Sequence, residues 1–191
     1  MPIRWMMTAA VPLFLLLQAC VPAVVGGAAV GAAAAHDRRT FGAIIDDENI
    51  ELKAAANIGM VAELKKQVHV NVTSMNGIVL LTGEAATTEA RDQILAEVRA
   101  VNGVRRITNE LRIAEPSSFG SRSKDSLITS AVKSRFLVTK DLDPTRVKVV
   151  TETSVVYLLG LVTQAEGNLA TEHAATIEGV ERVVKVFEYI D

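Results

Sequence analysis

The sequence is short of almost everything that builds a reaction centre. It has one cysteine and three histidines in 191 residues, and His36, His69 and His173 stand at no metal-ligand spacing. A lone thiol can form no intrachain disulfide and supplies no second ligand for a metal or redox pair. No glycine-rich phosphate loop, dinucleotide fingerprint or nucleophile elbow occurs. These gaps argue against an enzyme and against a resident metal or cofactor. Net charge is also nearly missing, at −2, which removes the basic bias of a nucleic-acid binder. Aromatic residues make up 4 %, and the one tryptophan, Trp5, falls in a leader expected to be removed, so the mature chain is expected to show no tryptophan emission.

What is present begins at the N-terminus. One charge, Arg4, precedes an apolar run over 9–17 and then Leu17-Gln18-Ala19-Cys20. This is the three-part form of a secretory signal, too short to span a bilayer. A small residue directly before the lone cysteine resembles the lipobox of bacterial lipoproteins. That resemblance implies that residues 1–19 are cleaved and that Cys20 is acylated. Val21, rather than aspartate, after the cysteine implies onward sorting to the outer membrane. Two or more acyl chains, at about 0.8 kcal/mol per buried methylene, make a lasting anchor. Residues 21–35 are almost only Ala, Val and Gly, and His36-Asp37-Arg38-Arg39-Thr40 then turns polar, so 20–45 is expected to be a tether. Gly27-Ala28-Ala29-Val30-Gly31 has small-xxx-small spacing, but its surroundings are too short and glycine-rich for a membrane helix.

The strongest organising signal is an internal repeat, seen when the chain is slid by 77 residues. Val70, Val72, Ile78, Val79, Leu81 and Gly83 fall on Val147, Val149, Val155, Val156, Leu158 and Gly160. After a one-residue deletion, Val101-Asn102-Gly103-Val104 falls on Ile177-Glu178-Gly179-Val180. Two units are expected, 46–114 and 123–191, joined by a 115–122 linker containing Pro116-Ser117-Ser118-Phe119-Gly120-Ser121. Each reads as αββαβ: a first helix (48–64; 126–138), a strand of alternating valines, a continuous apolar second strand, a second helix stopped by Gly103 or Gly179, and a last strand (105–113; 181–190). Asn76-Gly77 is a hairpin signal. Thr163-Gln164-Ala165-Glu166 is a capping box, whose counterpart in the first unit has Ala86 at the cap and keeps Glu89. Asp46-Asp47-Glu48 reads as acids at a helix start, favoured by the helix dipole, and Asp143-Pro144 as a turn. A right-handed crossover lays the last strand parallel to the second. In the second unit both sheet faces are apolar, with Val147, Val149, Val156 and Leu158 on one and Val150, Val155 and Tyr157 on the other. Helices can cover only one, so the other is expected to pack on the sister unit or its linker.

These residues resemble the BON domain, a periplasmic αββαβ module with a single characteristic glycine after a V-x-L-x-G-like strand, here Gly83 and Gly160. The lipobox, the small-residue tether, Asp-Arg-Arg-Thr, Asp46-Asp47 and two tandem units are similar to the dual-BON outer-membrane lipoproteins associated with cell division and envelope stress. The resemblance implies an α+β fold of two BON modules, each a three-stranded mixed sheet with two helices. It also implies a non-enzymatic protein, anchored in the outer membrane and facing the periplasm, that binds anionic phospholipid such as phosphatidylglycerol through its second unit. Enrichment at the division septum, support of the membrane barrier, and protein partners in outer-membrane assembly or septal cell-wall cleavage are further implications.

The residues of the second unit's first helix suit that expectation. Ile128, Val132 and Phe136 recur at i, i+4 and i+8 and form its core stripe. At 100° per residue Leu127 and Leu137 lie on the opposite side, with Ser130 and Ser134 between them and Lys133 flanking. Lys124, Arg135 and Lys140 add positive charge. The expected lipid-binding set is Lys124, Leu127, Ser130, Lys133 and Leu137, each cation contributing about 1 kcal/mol at an anionic surface. The family often carries tryptophan where Leu127 stands, and tryptophan is favoured at membrane interfaces, so weaker affinity is expected. The competing reading is a protein-binding scaffold that uses the apolar sheet face, or Leu127 and Leu137, to hold an assembly factor or a cell-wall enzyme.

Overall fold

The computed structural model describes residues 37–64 and 67–191; Cys20, the small-residue run and His36 lie outside the described residues. After a bend at Asp37-Arg38-Arg39, the first unit runs α1 (Phe41–Met60), a 3-10 turn (Ala62–Leu64), β1 (Val68–Met75), β2 (Ile78–Ala85), α2 (Thr88–Arg99) and β3 (Arg106–Ile113). The second runs α3 (Phe119–Leu137), a 3-10 turn (Pro144–Arg146), β4 (Val147–Glu152), β5 (Val155–Val162), α4 (Gln164–Ala175) and β6 (Arg182–Tyr189). Each sheet has its second strand in the middle, antiparallel to the first and parallel to the third. This is the expected αββαβ order, twice.

The repeated glycines have a backbone cause. Gly83 pairs with Val70 and Gly160 with Val147, the same register position in the two hairpins. A Cβ on either would be driven into a backbone carbonyl oxygen, that of His69 in β1 or that of Arg146 just before β4. Gly83 also sits at φ 113°, which glycine alone enters freely.

Both hairpins turn through two left-handed residues, Asn76-Gly77 at φ 51° and 72° and Thr153-Ser154 at φ 47° and 63°. The first is the expected turn. The second has no glycine, and a side chain from the preceding helix holds it. Asp125, on α3, accepts from Thr153 N at 2.9 Å and Ser154 N at 2.8 Å. Asp47, on α1, does the same for Asn76 N and Gly77 N at 2.7 and 2.8 Å, and also accepts from Ser74 Oγ and Arg39. The dipole reading of Asp46-Asp47-Glu48 is therefore corrected. The helix starts at Phe41, so Asp47 lies in its second turn, buried and facing the hairpin.

Three other boundaries also differ from expectation. Thr40 caps α1 by accepting from Ala43 N, ahead of the expected start at residue 48, because Phe41 and Ile45 face solvent and give no amphipathic signal. Ser118 caps α3, which draws the second half of the expected linker into the helix. Thr87, not Ala86, caps α2, with its hydroxyl accepting from Ala90 N. The capping box of α4 forms as expected, with Thr163 and Glu166 each satisfying the other's backbone N–H.

The layers run helices, sheet, sheet, helices. Ile50, Ala54 and Ile58 of α1 and Ile94 and Val98 of α2 close on Val79, Leu81 and Leu111. Ile128, Val132 and Phe136 of α3 and Ala170 and Ala174 of α4 close on Val149, Val156, Leu158 and Phe187. The remaining sheet faces meet each other: Met75, Ile78 and Leu80 pack with Tyr157, Leu159 and Val186. The second apolar face foreseen in the sequence is thus covered by the sister unit. Polar contacts rim the seam, including Lys148 Nζ to Glu51 Oε1 at 2.6 Å and Asn76 Nδ2 to Glu188 Oε2 at 2.8 Å. The polar end of the tether is clasped there as well. Arg38 donates to both carboxylate oxygens of Glu166 and to the Leu161 carbonyl of the second unit, while Arg39 donates to Asp37 and to Asp47 of the first.

Candidate functional site

The helix α3 carries the expected site. Ile128, Val132 and Phe136 point inward, and their exposure of 4 % or less fixes the opposite face as the outer one. Leu127 and Leu137 are each 72 % exposed on that face, about 15 Å apart along the axis. Lys124, Ser130 and Lys133 are also exposed, but only Ser130 and Lys133 share the outer face with the leucines; Lys124 stands one turn before Ile128 in line with the core stripe, and its Nζ donates to Ser154 Oγ at 3.2 Å. Val138, the C-cap, was not foreseen and is, among the described residues, the most exposed of the large apolar side chains at 78 %. Its position just past the periodic stripe hid it.

Leu127, Ser130, Lys133 and Leu137 form a crest between hollows rather than a single concave pocket. Lys124 and Leu127 border a groove of about 670 Å³ toward Thr176 and Glu178. Lys133 and Leu137 border a cavity of about 550 Å³, shared with Ile44 of α1 and Val147 of β4. Ser130 borders a third, polar hollow beside His69 and Asn71.

Two details make this crest chemically simple. The hydroxyls of Ser126 and Ser130 donate back to the carbonyls one turn earlier, those of Arg122 and Ser126, at 3.0 and 2.9 Å. They present no free donor, and the surface between the leucines is correspondingly less polar. The charges of α3 are Arg122, Lys124, Lys133 and Arg135, all exposed, and Asp125, which is buried against the hairpin. The outward charge of α3 is therefore wholly positive. Its counterpart α1 has diverged the other way: Asp46 and Glu48 are exposed beside Phe41, Ile45 and Leu52, with Lys53 the only cation on the helix.

Among the described residues no group of three or more His, Cys, Asp or Glu could hold a metal ion, and no helix is long and apolar enough to cross a membrane. His69 and His173 sit on different units. The most strongly displaced acid serves the fold. Burial would push Glu166 up, but Arg38, Thr163 and Arg146 hold its carboxyl at about 2.

Comparison with known proteins agrees with this architecture. A BON-domain family model matches residues 46–115 and again 124–191. The chain is 43 % identical, over 93 % of its length and 92 % of the relative's, to a protein of Haemophilus influenzae named outer membrane lipoprotein DolP. It is 38 % identical to a 21 kDa hemolysin of Actinobacillus pleuropneumoniae, covering 81 % of this chain and 79 % of that one. It is 28 % identical to the osmotically-inducible protein Y of Escherichia coli, covering 74 % and 72 %.

Proposed function

The chain belongs to the BON-domain family, and from that premise we propose that it is an outer-membrane lipoprotein, acylated on Cys20, whose second unit holds anionic phospholipid on the outer face of α3. In this role it supports the membrane barrier from the periplasmic side, at the division septum. The similarity to an outer membrane lipoprotein along nearly the whole chain supports the anchor. The observation that carries the lipid reading is the outer face of α3, where Leu127, Leu137 and Val138 stand among exposed cations and the helix itself carries no exposed acid, Glu178 and Glu48 lying across the bordering hollows. Leucine inserts beneath headgroups, and each nearby cation adds about 1 kcal/mol on an anionic surface.

The test is co-sedimentation with phosphatidylglycerol and with phosphatidylcholine vesicles. Preferential binding to the anionic vesicles is expected, weakening steeply as salt rises from low ionic strength. Leu127→Glu should weaken it about tenfold or more, since burial of one leucine is worth about 1.5–3 kcal/mol. Equal binding to both vesicles, or unchanged binding by the variant, would overturn the reading. Loss of septal enrichment of the Leu127→Glu protein in cells would tie the same face to localisation.

A second reading, a scaffold for outer-membrane assembly or cell-wall proteins, is favoured at a different place from the one expected. The sheet face is taken up by the sister unit. On α1, however, Phe41, Ile45 and Leu52 are 67 %, 46 % and 68 % exposed beside Asp46 and Glu48. That pairing of apolar and acidic groups suits a protein surface better than an anionic bilayer. Leu52→Glu should leave vesicle binding unchanged and abolish any salt-resistant protein contact.

A further inference from the structure

The polar hollow beside Ser130 has a volume of about 440 Å³ and draws its walls from both units: His69 and Asn71 of β1, Arg122 and Asp125 of α3, and Thr151 and Glu152 of β4. Glu152 is 4 % exposed. Its Oε2 accepts from Asn71 Nδ2 at 2.8 Å across the unit boundary, and its Oε1 has no hydrogen-bond partner. A buried carboxylate oxygen left unmatched is costly and is a recognised mark of a site that expects something. Burial pushes the Glu152 carboxyl above its ordinary range; Asn71 and His69 oppose the shift, and the charges of Glu84 and Asp125 reinforce it.

The donors around this carboxylate are largely spent. Thr153 N and Ser154 N go to Asp125, and Thr129 Oγ1 donates to Thr151 Oγ1 at 2.7 Å. The Ser126 and Ser130 hydroxyls are turned back onto their own helix, and an Asn71 amide proton goes to Glu152. What remains along this wall is acceptor capacity, Glu152 Oε1 and Asn71 Oδ1, with the Arg122 guanidinium and the His69 ring bordering the same space.

We propose that the hollow is a binding site for a primary ammonium group, with Glu152 as its counter-ion. Three N–H donors on a compact cation match the unfilled acceptors, and a cation removes the mismatch that burial imposes on the carboxylate. Two sources carry that group: an ethanolamine phosphate headgroup, whose phosphate would meet the Arg122 guanidinium, and a free polyamine. The site shares Ser130 and Arg122 with α3, but its counter-ion Glu152 lies on β4 and Leu127 does not line it, so Glu152→Gln and Leu127→Glu test the two sites separately.

The test is a titration of the full chain in neutral detergent with phosphoethanolamine, putrescine, phosphocholine and magnesium chloride, following the Asn71 side-chain amide by NMR. Saturable shifts are expected with phosphoethanolamine, putrescine or both. Glu152→Gln, which keeps an acceptor for Asn71 and removes the charge, should bind at least tenfold more weakly. Phosphocholine has no ammonium protons and should also bind at least tenfold more weakly. Arg122→Ala names the source: it weakens phosphoethanolamine if the headgroup is the ligand, and strengthens putrescine, by removing a like charge, if the polyamine is. No saturable shift with either amine overturns the proposal. So does unchanged affinity in Glu152→Gln, or a response to phosphocholine or magnesium as strong as to the amines.

Discussion

Two aspartates do equivalent work in the two units, and their removal should be costly in a graded way. Asp125 holds two turn N–H groups, and Asp125→Ala should cost about 2–3 kcal/mol by leaving both without an acceptor. Asp47→Ala should cost more, about 3–5 kcal/mol, because it also takes the acceptor from the buried Ser74 hydroxyl and one of the two carboxylates from Arg39, which keeps Asp37. Urea unfolding of the two variants checks the order. Acid should act through the same groups. Burial would push Asp47 up, yet hydrogen bonds from Gly77, Ser74, Asn76 and Arg39 hold it below its usual value, and Glu166 is held at about 2. An acid depressed on folding contributes stability above its unfolded value, and that contribution is lost as pH falls through the folded one. The urea midpoint should therefore drop between pH 4.5 and 2, less steeply in Glu166→Gln. None of this pairing was legible from local sequence, since Asp47 bonds a turn almost thirty positions away. At the 77-residue slide Asp47 falls on Lys124, and its match to Asp125 shows only when the second unit is allowed one residue fewer between its first helix and first strand.

At the scale of elements, the strands were the most legible part. Alternating valines, an apolar central strand and the glycine that ends the match all reflect neighbours one strand away, so a period of two and a shared register reveal them. Helix starts were less legible, because Phe41 and Ile45 are apolar without being buried, and Ser118 lies within what reads as a linker. The second hairpin was legible only through the repeat, since Thr153-Ser154 lacks the glycine that marks such a turn. That makes it a place to improve. Replacing Thr153-Ser154 by Asn-Gly, as at Asn76-Gly77, should relieve two left-handed residues and raise stability by about 1 kcal/mol, despite loss of the 3.2 Å bond from Lys124 to Ser154 Oγ. A thermal melt rising by a few degrees checks this, and an unchanged or lower midpoint refutes it. The outward crest of α3 was legible for the same reason as the strands: the core stripe of the helix is regular, so whatever departs from it must face out. Val138 escaped because it follows the last regular turn.

The two modules should behave as one cooperative body, since each sheet buries a face against the other. A single calorimetric transition is expected, and Leu159→Asp, which places an unpaired carboxylate between the sheets, should cost more than about 4 kcal/mol and separate the melting of the two units. Tyr157 reports on the same seam. Burial and the nearby Glu110 push its phenol up to about 12, so its ionisation in an absorbance titration should move to lower pH when Leu159→Asp opens the interface. The pairing of Arg38 with the second unit and Arg39 with the first has a mechanical meaning. With the anchor proposed on Cys20, a pull arriving at Asp37 would be divided at once between two ion pairs, one seated in each unit. Traction then loads the sandwich in shear, across its broad seam, instead of peeling α1 away turn by turn from its exposed tip.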